Sequence, residues 1–258
     1  MTTIIPIPAF TDNYVWLLRH GTAAVVVDPG DATPVQAALA REGLTLTAIL
    51  ATHHHGDHVG GIPALLARYP VPVFGPAHES IPGRTRAMQE GDTVTLPGVP
   101  VTLTTLDIPG HTAGHIAYFG DVDGTPSLFC GDTLFAAGCG RVFEGTPAQM
   151  WDSLSKLAAL PDATHIYCGH EYTLANLRFA QAVEPGNADI AARQAHEQAK
   201  RDRHEPTLPS TMADERRTNP FLRAPVPAVR AAAERRAGRA LATDADAFAA
   251  LREWKNVS

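Results

Sequence analysis

The chain has 258 residues, 45% of them hydrophobic and 19% charged, with a formal net charge of −6. That length and apolar content are enough for a substantial core without disulfides, so disordered and fibrous classes are excluded and one large domain with an appendage is expected. No apolar run reaches the length of a bilayer span and the first residues carry no basic, cleavable leader, so a cytoplasmic location with no membrane partner is expected.

Short β-rich runs alternate with turn residues and a few helices up to about residue 172, the pattern of a mixed α/β layered domain. In chain order the predicted strands are Tyr14 to Leu18, Ala24 to Val27, Ala48 to Thr52, Val71 to Phe74, Val101 to Leu106, His115 to Phe119, Ser127 to Cys130 and His165 to Cys168. Thr33-Pro34 predicts a capped helix start with Gly43 as its stop, and Thr146-Pro147 predicts another, with Met150, Leu154 and Leu157 on one face. Beyond Leu174 the strand patterns vanish. Helices are predicted over 174–183, 187–203, 228–240 and 244–254, with a linker rich in Pro, Thr and Ser over 205–227. The expected division is a domain of residues 1–172 and an all-α region of residues 173–258.

Charge follows the same division. Residues 1–172 hold 7 Lys and Arg against 16 Asp and Glu, whereas 173–258 hold 14 against 11, and ten of the twelve histidines precede residue 172. An acidic, histidine-rich part suits bound cations, and a basic part suits an anionic ligand. The overall acidic balance argues against a nucleic-acid partner. Cys130, Cys139 and Cys168 contain no close pair and read as free thiols in a reducing compartment.

The chemistry concentrates after the Ala48 to Thr52 run, in His53-His54-His55-Gly56-Asp57-His58. Alternate residues of an extended chain point the same way, so His53 and His55 converge while His54 faces elsewhere. Asp57 and His58, beyond Gly56, reach a second point. Three further residues follow β-runs beside a glycine: His111, Asp132 and His170. Imidazole and carboxylate without thiolate form the ligand set of catalytic zinc, iron or manganese. Seven donors exceed the needs of one tetrahedral ion, which points to two ions about 3.5 Å apart sharing a carboxylate. His20, His54, His78, His115, His165, His196 and His204 read as structural histidines. Asp28, closing the Val25 to Val27 run, reads either as an acceptor that fixes a ligand histidine or as a turn-starting residue.

With those residues in view, the sequence resembles the metallo-β-lactamase superfamily, whose signature H-x-H-x-D-H is followed by separate His, Asp and His. Within it the chain is most similar to the glyoxalase II (hydroxyacylglutathione hydrolase) family. The similarity runs through Pro8 to Tyr14, Thr52 to Gly61, Pro109 to Thr112, Gly131 to Phe135, Gly138 to Arg141, Gly169 to Thr173 and Thr218 to Arg223. The resemblance implies a four-layer αβ/βα sandwich with a helical C-terminal domain closing over the substrate. It further implies two divalent ions, zinc foremost with iron or manganese as alternatives. His53, His55 and His111 would hold one, Asp57, His58 and His170 the other, and Asp132 would bridge them.

The same resemblance places glutathione contacts at Arg141, Phe143, Tyr172, Arg252 and Lys255. For Arg252 and Lys255 a solvated helix face is the competing reading. Some relatives carry Lys and Tyr where this chain has Arg141 and Phe143, so the charge is kept and a hydroxyl is lost. The implied activity is hydrolysis of S-D-lactoylglutathione and related S-2-hydroxyacylglutathiones to glutathione and D-lactate, with a metal-bridging hydroxide as the attacking group and Asp57 and Asp132 at the reacting centre. The partner expected is this small thioester alone, with the protein a monomer. The rival is a glutathione persulfide dioxygenase using a single iron on the same scaffold; a nuclease or β-lactamase of the superfamily fits less well, given the acidic balance and the thiol-substrate contacts.

Overall fold

The computed structural model of the chain describes residues 1–258. Its first sheet runs in sequence order from β1 (Thr2–Ala9) through β2 (Asn13–His20), β3 (Ala23–Val27), β4 (Thr45–Leu50) and β5 (Val73–Pro76) to β6 (Arg86–Met88). β1 to β3 form an antiparallel meander, and β3 to β6 are parallel. Helix α1 (Ala32–Glu42) joins β3 to β4, and α2 (Gly56–Val59) and α3 (Ile62–Arg68) join β4 to β5. Along β2, Tyr14, Trp16 and Leu18 enter the core between the sheets, whereas Val15 and Leu17 enter the core under α1 and α3. Val25 and Val27 against Ala24 and Val26 repeat that alternation on β3. Strands buried on both faces read as continuous apolar runs, which is why they stand out in the sequence.

The second sheet contains β7 (Thr93–Thr95), β8 (Thr102–Asp107), β9 (Ile116–Val122) and β10 (Thr125–Gly131) as an antiparallel set. After it come the ribbon β11 (Leu134–Phe135) and β12 (Gly138–Cys139), helix α4 (Pro147–Ala158) and β13 (His165–Cys168), which pairs parallel with β10. The rest is helical: α5 (Thr173–Val183), α6 (Ala188–Asp202), α7 (Met212–Thr218), α8 (Pro227–Ala237) and α9 (Asp244–Asn256). β14 (Ser210–Thr211) adds a short edge to the second sheet beside β13. The layers are those expected of a four-layer αβ/βα sandwich with a helical C-terminal region. No helix is long and apolar enough to cross a membrane.

Local differences from expectation have physical causes. The N-cap of α1 is Asp31, whose side chain accepts from the Thr33 N–H at 2.8 Å, two residues ahead of the predicted start. Gly43 ends that helix in the left-handed region, as predicted. β1 escapes prediction because Pro6 and Pro8 interrupt its pattern, and it tolerates them because it is an edge strand. The predicted linker over 205–227 contains β14 and α7; α7 has only seven residues, with Met212 its one large apolar side chain.

Helical region and sandwich share one hydrophobic cluster, in which Phe179, Phe221 and Phe248 join Leu128, Phe129 and Ile166. Polar contacts fix the register between them. Asn219 donates to Phe135 O and Gly138 O, Asn176 donates to Ala136 O, and buried Glu215 accepts from the Ala137 N–H at 2.7 Å. These bonds clasp the ribbon turn, where Ala137 adopts φ 53°, a conformation a non-glycine residue holds only when its surroundings enforce it. Glu215 also pairs with Arg193 at 2.7 Å, both side chains being buried. Glu215→Ala strands that guanidinium in the core and is expected to cost about 3–5 kcal/mol in urea unfolding; a loss below about 1 kcal/mol, the scale of an exposed pair, would contradict this docking role.

Candidate metal centre and adjoining pocket

The site lies where strand ends of the two sheets meet. After β4 the chain leaves the sheet at Thr52, whose N–H and hydroxyl donate to the Asp28 carboxylate at 2.8 and 2.7 Å. Asp28 itself sits at φ 54° at the end of β3. Its Oδ2 also lies 3.1 Å from His58 Nδ1, so the same carboxylate holds both the loop and one imidazole. This is the reading in which Asp28 fixes a candidate ligand histidine; its carboxylate makes no hydrogen bond to the residues just after it, so it is not the start of an Asx turn.

Three further imidazoles, those of His53, His111 and His170, have their outer nitrogen engaged. His111 Nδ1 donates to Arg141 O at 2.8 Å, His170 Nδ1 lies 2.8 Å from Asp12 Oδ1, and His53 Nδ1 lies 3.1 Å from Thr52 Oγ1. Asn13 donates to Asp57 Oδ2 at 3.0 Å. Such partners fix the tautomer and aim of a ligand ring.

The inner atoms then face one another. His55 Nδ1 and His111 Nε2 are 3.0 Å apart; His170 Nε2 lies 3.4 Å and His58 Nε2 3.6 Å from Asp57 Oδ2. Between the two groups is Asp132, with Oδ1 3.3 Å from His58 Nε2 and Oδ2 3.2 and 3.5 Å from His170 and His111 Nε2. Two donors on one tetrahedral cation are about 3.3 Å apart, given metal–nitrogen bonds of about 2.0–2.1 Å. His53 Nε2, His58 Nε2 and Asp132 Oδ1 are buried with no hydrogen-bond partner. Buried donor atoms left without a hydrogen-bond partner call for a cation. Against the effect of burial, the carboxylates of Asp132 and Asp28 hold His58 well above its usual pKa, so a cation arriving there takes the place of a proton. His53, His55 and His111 form one candidate ligand triad, and Asp57, His58 and His170 another. The seven donors predicted from the sequence thus converge, and the donor set is that of a divalent metal centre. Close approach depends on glycine: a Cβ at Gly169 would lie 2.6 Å from His58 Cε1 and 2.7 Å from Asp132 Oδ1.

Electrostatics follow from crowding these groups. Burial and the neighbouring His58 push His53 well below its usual pKa. Burial works against the charged form of Asp132, yet His58 and His170 hold its carboxyl well below the usual range. Burial likewise opposes charge on His170, but Asp132 and Asp57 raise it to about 10.

Four residues with no site role in the sequence reading support the centre. Asp12, in the turn between β1 and β2, and Asn13, the first residue of β2, hold His170 and Asp57. His115, read as a structural histidine, accepts from the Asp132 N–H at 3.2 Å and stacks on His53 at 4.5 Å. Glu79 contacts His54, whose ring lies between the carboxylates of Glu79 and Glu144; a His54 nitrogen, one of His55 and a Glu144 oxygen lie within 4.8 Å of one another, a further group of metal-compatible donors. Only Asp12-Asn13 carried a signal, as turn residues between two strands within the family-like segment.

A cavity of about 440 Å³ opens beside the donors, lined by His111, Asp132, Arg141, Phe143, Tyr172, Arg252 and Lys255 among others. The exposed Phe143 ring meets His55 and His111 edge-on, and Tyr172 stacks on His170 at 4.7 Å. Burial and nearby Asp12 raise the Tyr172 hydroxyl to about 12, so it stays a hydrogen-bond donor at ordinary pH. Arg252 is not on a solvated face. Its side chain is buried over the Phe221 ring, donating to Cys139 O at 2.8 Å. Lys255 is partly buried, lies over Phe179 and donates to Ala175 O at 3.3 Å.

Two mixed sheets flanked by helices, with His and Asp donors at their meeting strand ends, define the metallo-β-lactamase class. The model of the metallo-beta-lactamase superfamily matches residues 9–170, and that of the hydroxyacylglutathione hydrolase C-terminus matches residues 171–258. Hydroxyacylglutathione hydrolases from Alkalilimnicola ehrlichii and Cupriavidus taiwanensis are 60% and 58% identical to this chain. The first alignment covers 100% of both proteins and the second 99% of each. Among solved structures, ETHE1 from Myxococcus xanthus is similar with a TM-score of 0.67 and 25% identity, over 98% of this chain and 90% of that one. TTHA1623 in a di-iron-bound form is 31% identical, with a TM-score of 0.53 over 64% of this chain and 91% of its own. The chain belongs to the hydroxyacylglutathione hydrolase family of the metallo-β-lactamase superfamily.

The position of His170 has a consequence for pH. Below about pH 10 the cation-free protein holds a proton on this ring, and a cation must displace it. Zinc uptake at pH 7.5 is expected to release protons into a weakly buffered indicator solution, and zinc affinity should rise with pH up to that value. Uptake without proton release, with a flat pH dependence, would contradict this.

Proposed function

We propose that the protein hydrolyses S-D-lactoylglutathione and related S-2-hydroxyacylglutathiones to glutathione and D-lactate, using two divalent ions, zinc foremost. The observation that carries this reading is the basic, aromatic cavity opening directly onto the donor cluster. In the division of labour proposed, residues 1–172 supply the ligands and residues 173–258 supply Arg252 and Lys255. His53, His55 and His111 hold one ion, Asp57, His58 and His170 the other, and Asp132 serves both. When bound, the ions lower the pKa of a coordinated water and polarise the thioester carbonyl.

The chain's own residues do the rest. Arg141 and Lys255 offer charge to the glutathione carboxylates, and Tyr172 offers its hydroxyl. Arg252, with Nε free of any partner, adds a buried positive charge at the pocket floor. Phe143 covers the rings of His55 and His111 and limits water on that side. Asp57, held by Asn13, and Asp132 keep their carboxylates ionised toward the reacting centre. Water's oxygen joins the acyl carbon, the C–S bond breaks, and the products leave as a hydroxyacid carboxylate and glutathione thiolate, with water's two protons passing to solvent. A thiol of pKa about 8.5 needs no protein acid to leave.

The dioxygenase alternative calls for one iron, and the complete second triad weighs against it. A cytoplasmic setting agrees with three buried free thiols.

Purified protein is expected to release thiol from S-D-lactoylglutathione, to lose that activity on chelation, and to lose it in Asp132→Ala along with bound metal. A metal-loaded protein inert to this thioester, or an Asp132→Ala variant at the wild-type rate, would overturn the reading. Burial and the neighbouring Arg252 lower the Lys255 pKa. Its charge is therefore lost at a lower pH than that of an ordinary lysine, and the KM for the anionic substrate should climb with alkaline pH. Lys255→Ala should raise KM roughly tenfold with kcat nearly unchanged, the signature of lost uniform binding, and flatten that climb. An unchanged KM would remove Lys255 from the binding site.

A further inference from the structure

His55 and His111 lie on loops more than fifty residues apart, yet their ligand nitrogens approach within 3.0 Å. One backbone hydrogen bond, from the Ile116 N–H to Thr52 O at 3.0 Å, ties the two segments at their base, and beyond it the loops are joined through the buried carboxylate of Glu79 and, more exposed, that of Glu144. Glu79, in the loop after β5, has a side chain only 3% exposed. Its Oε1 accepts from the Thr112 hydroxyl and from the Gly114 N–H at 3.1 Å, both on the loop of His111. Its Oε2 lies 2.9 Å from Nδ1 of His54, the residue between His53 and His55. The fit leaves no slack, since a Cβ at Gly114 would come within 2.8 Å of Glu79 Cγ.

Two further contacts make the bridge rigid. Arg84 donates to the Glu79 carbonyl at 2.7 Å and to the Pro76 carbonyl, which pins the loop carrying the carboxylate. On the other side of the His54 ring, Nε2 lies 3.2 Å from Glu144, whose second oxygen accepts from the Ala113 N–H at 2.9 Å. His54 is therefore gripped between two carboxylates that also hold the His111 loop. Neither touches a proposed ligand atom.

We propose that Glu79 is a positioning residue for the cation triad of His53, His55 and His111: by joining His54 to Thr112 and Gly114 it sets the separation of His55 Nδ1 and His111 Nε2. This rests on the reading that these three histidines hold a cation. It assigns a purpose to His54, whose two ring nitrogens face Glu79 and Glu144. Buried donors that lose a partner seek new ones, so without Glu79 the two loops should part and the triad widen.

The test is cobalt(II) binding to the full-length protein, followed by visible absorption and by competition with a chelator, with no substrate present. Glu79→Ala is expected to lower the affinity of one of the two cobalt ions about 10–100-fold, the usual effect of losing such a partner, and to alter the absorption bands. Glu79→Gln retains an acceptor for Thr112 and Gly114 and a polar contact for His54, and should restore both. Should Glu79→Ala fail to fold, Thr112→Val removes one hydrogen bond only and should shift the affinity in the same direction by less. Wild-type affinity and spectrum in both Glu79→Ala and Thr112→Val would overturn the proposal, as would Glu79→Gln being as impaired as Glu79→Ala. A wild-type protein that binds no cobalt would overturn the cation triad itself. Because no thioester enters the measurement, a wrong substrate assignment would not alter the cobalt affinities or spectra.

Discussion

Buried nitrogen and carboxylate donors that no hydrogen bond satisfies are held together here despite their loss of water. His53 Nε2, His58 Nε2 and Asp132 Oδ1 have neither solvent nor hydrogen-bond partners, and such desolvation costs several kcal/mol per group unless a cation offsets it. The surrounding structure is arranged to make that compensation possible. Asp28, Arg141 O, Asp12 and Thr52 occupy the outer nitrogens, so the inner ones remain available. The donors are thus preorganised, and their separations of 3.0–3.6 Å match those around a shared ion.

Two architectural features hold this arrangement. The ends of β3 and β4 in the first sheet face those of β10 and β13 in the second, and each strand is followed by a candidate donor or its support. The helical region then clasps the β11–β12 ribbon through Asn176, Glu215 and Asn219. That clasp seats Arg252 and Lys255 against the same cavity that Asp132 and His111 line. Metal donors and basic side chains from distant parts of the chain consequently share one wall.

The convergence of candidate donors was legible in the sequence because their chemistry is dense: His53 to His58 lie within six residues, and His111, Asp132 and His170 each follow a β-run beside a glycine. The layered fold was legible for a similar reason, since doubly buried strands such as Ala24 to Val27 read as unbroken apolar runs. What escaped depends on contacts between distant residues. Asp12 meets His170 across 158 positions and Glu79 meets Thr112 across 33, and neither shows any local pattern. His115 looked like an ordinary core histidine because its function lies in the Asp132 N–H it receives. Arg252 is a charged residue in the last turns of a helix, a setting that reads as solvated, and only the tertiary packing over Phe221 shows that it is buried.

The central claim is that one buried cluster holds two cations on seven named side chains. Anomalous X-ray diffraction from crystals of the zinc-loaded protein, recorded on both sides of the metal edge, tests it directly. The account predicts two peaks about 3.5 Å apart, one within reach of His53, His55 and His111, the other of Asp57, His58 and His170, with Asp132 between them. A single peak, or peaks ligated by other residues, would contradict it.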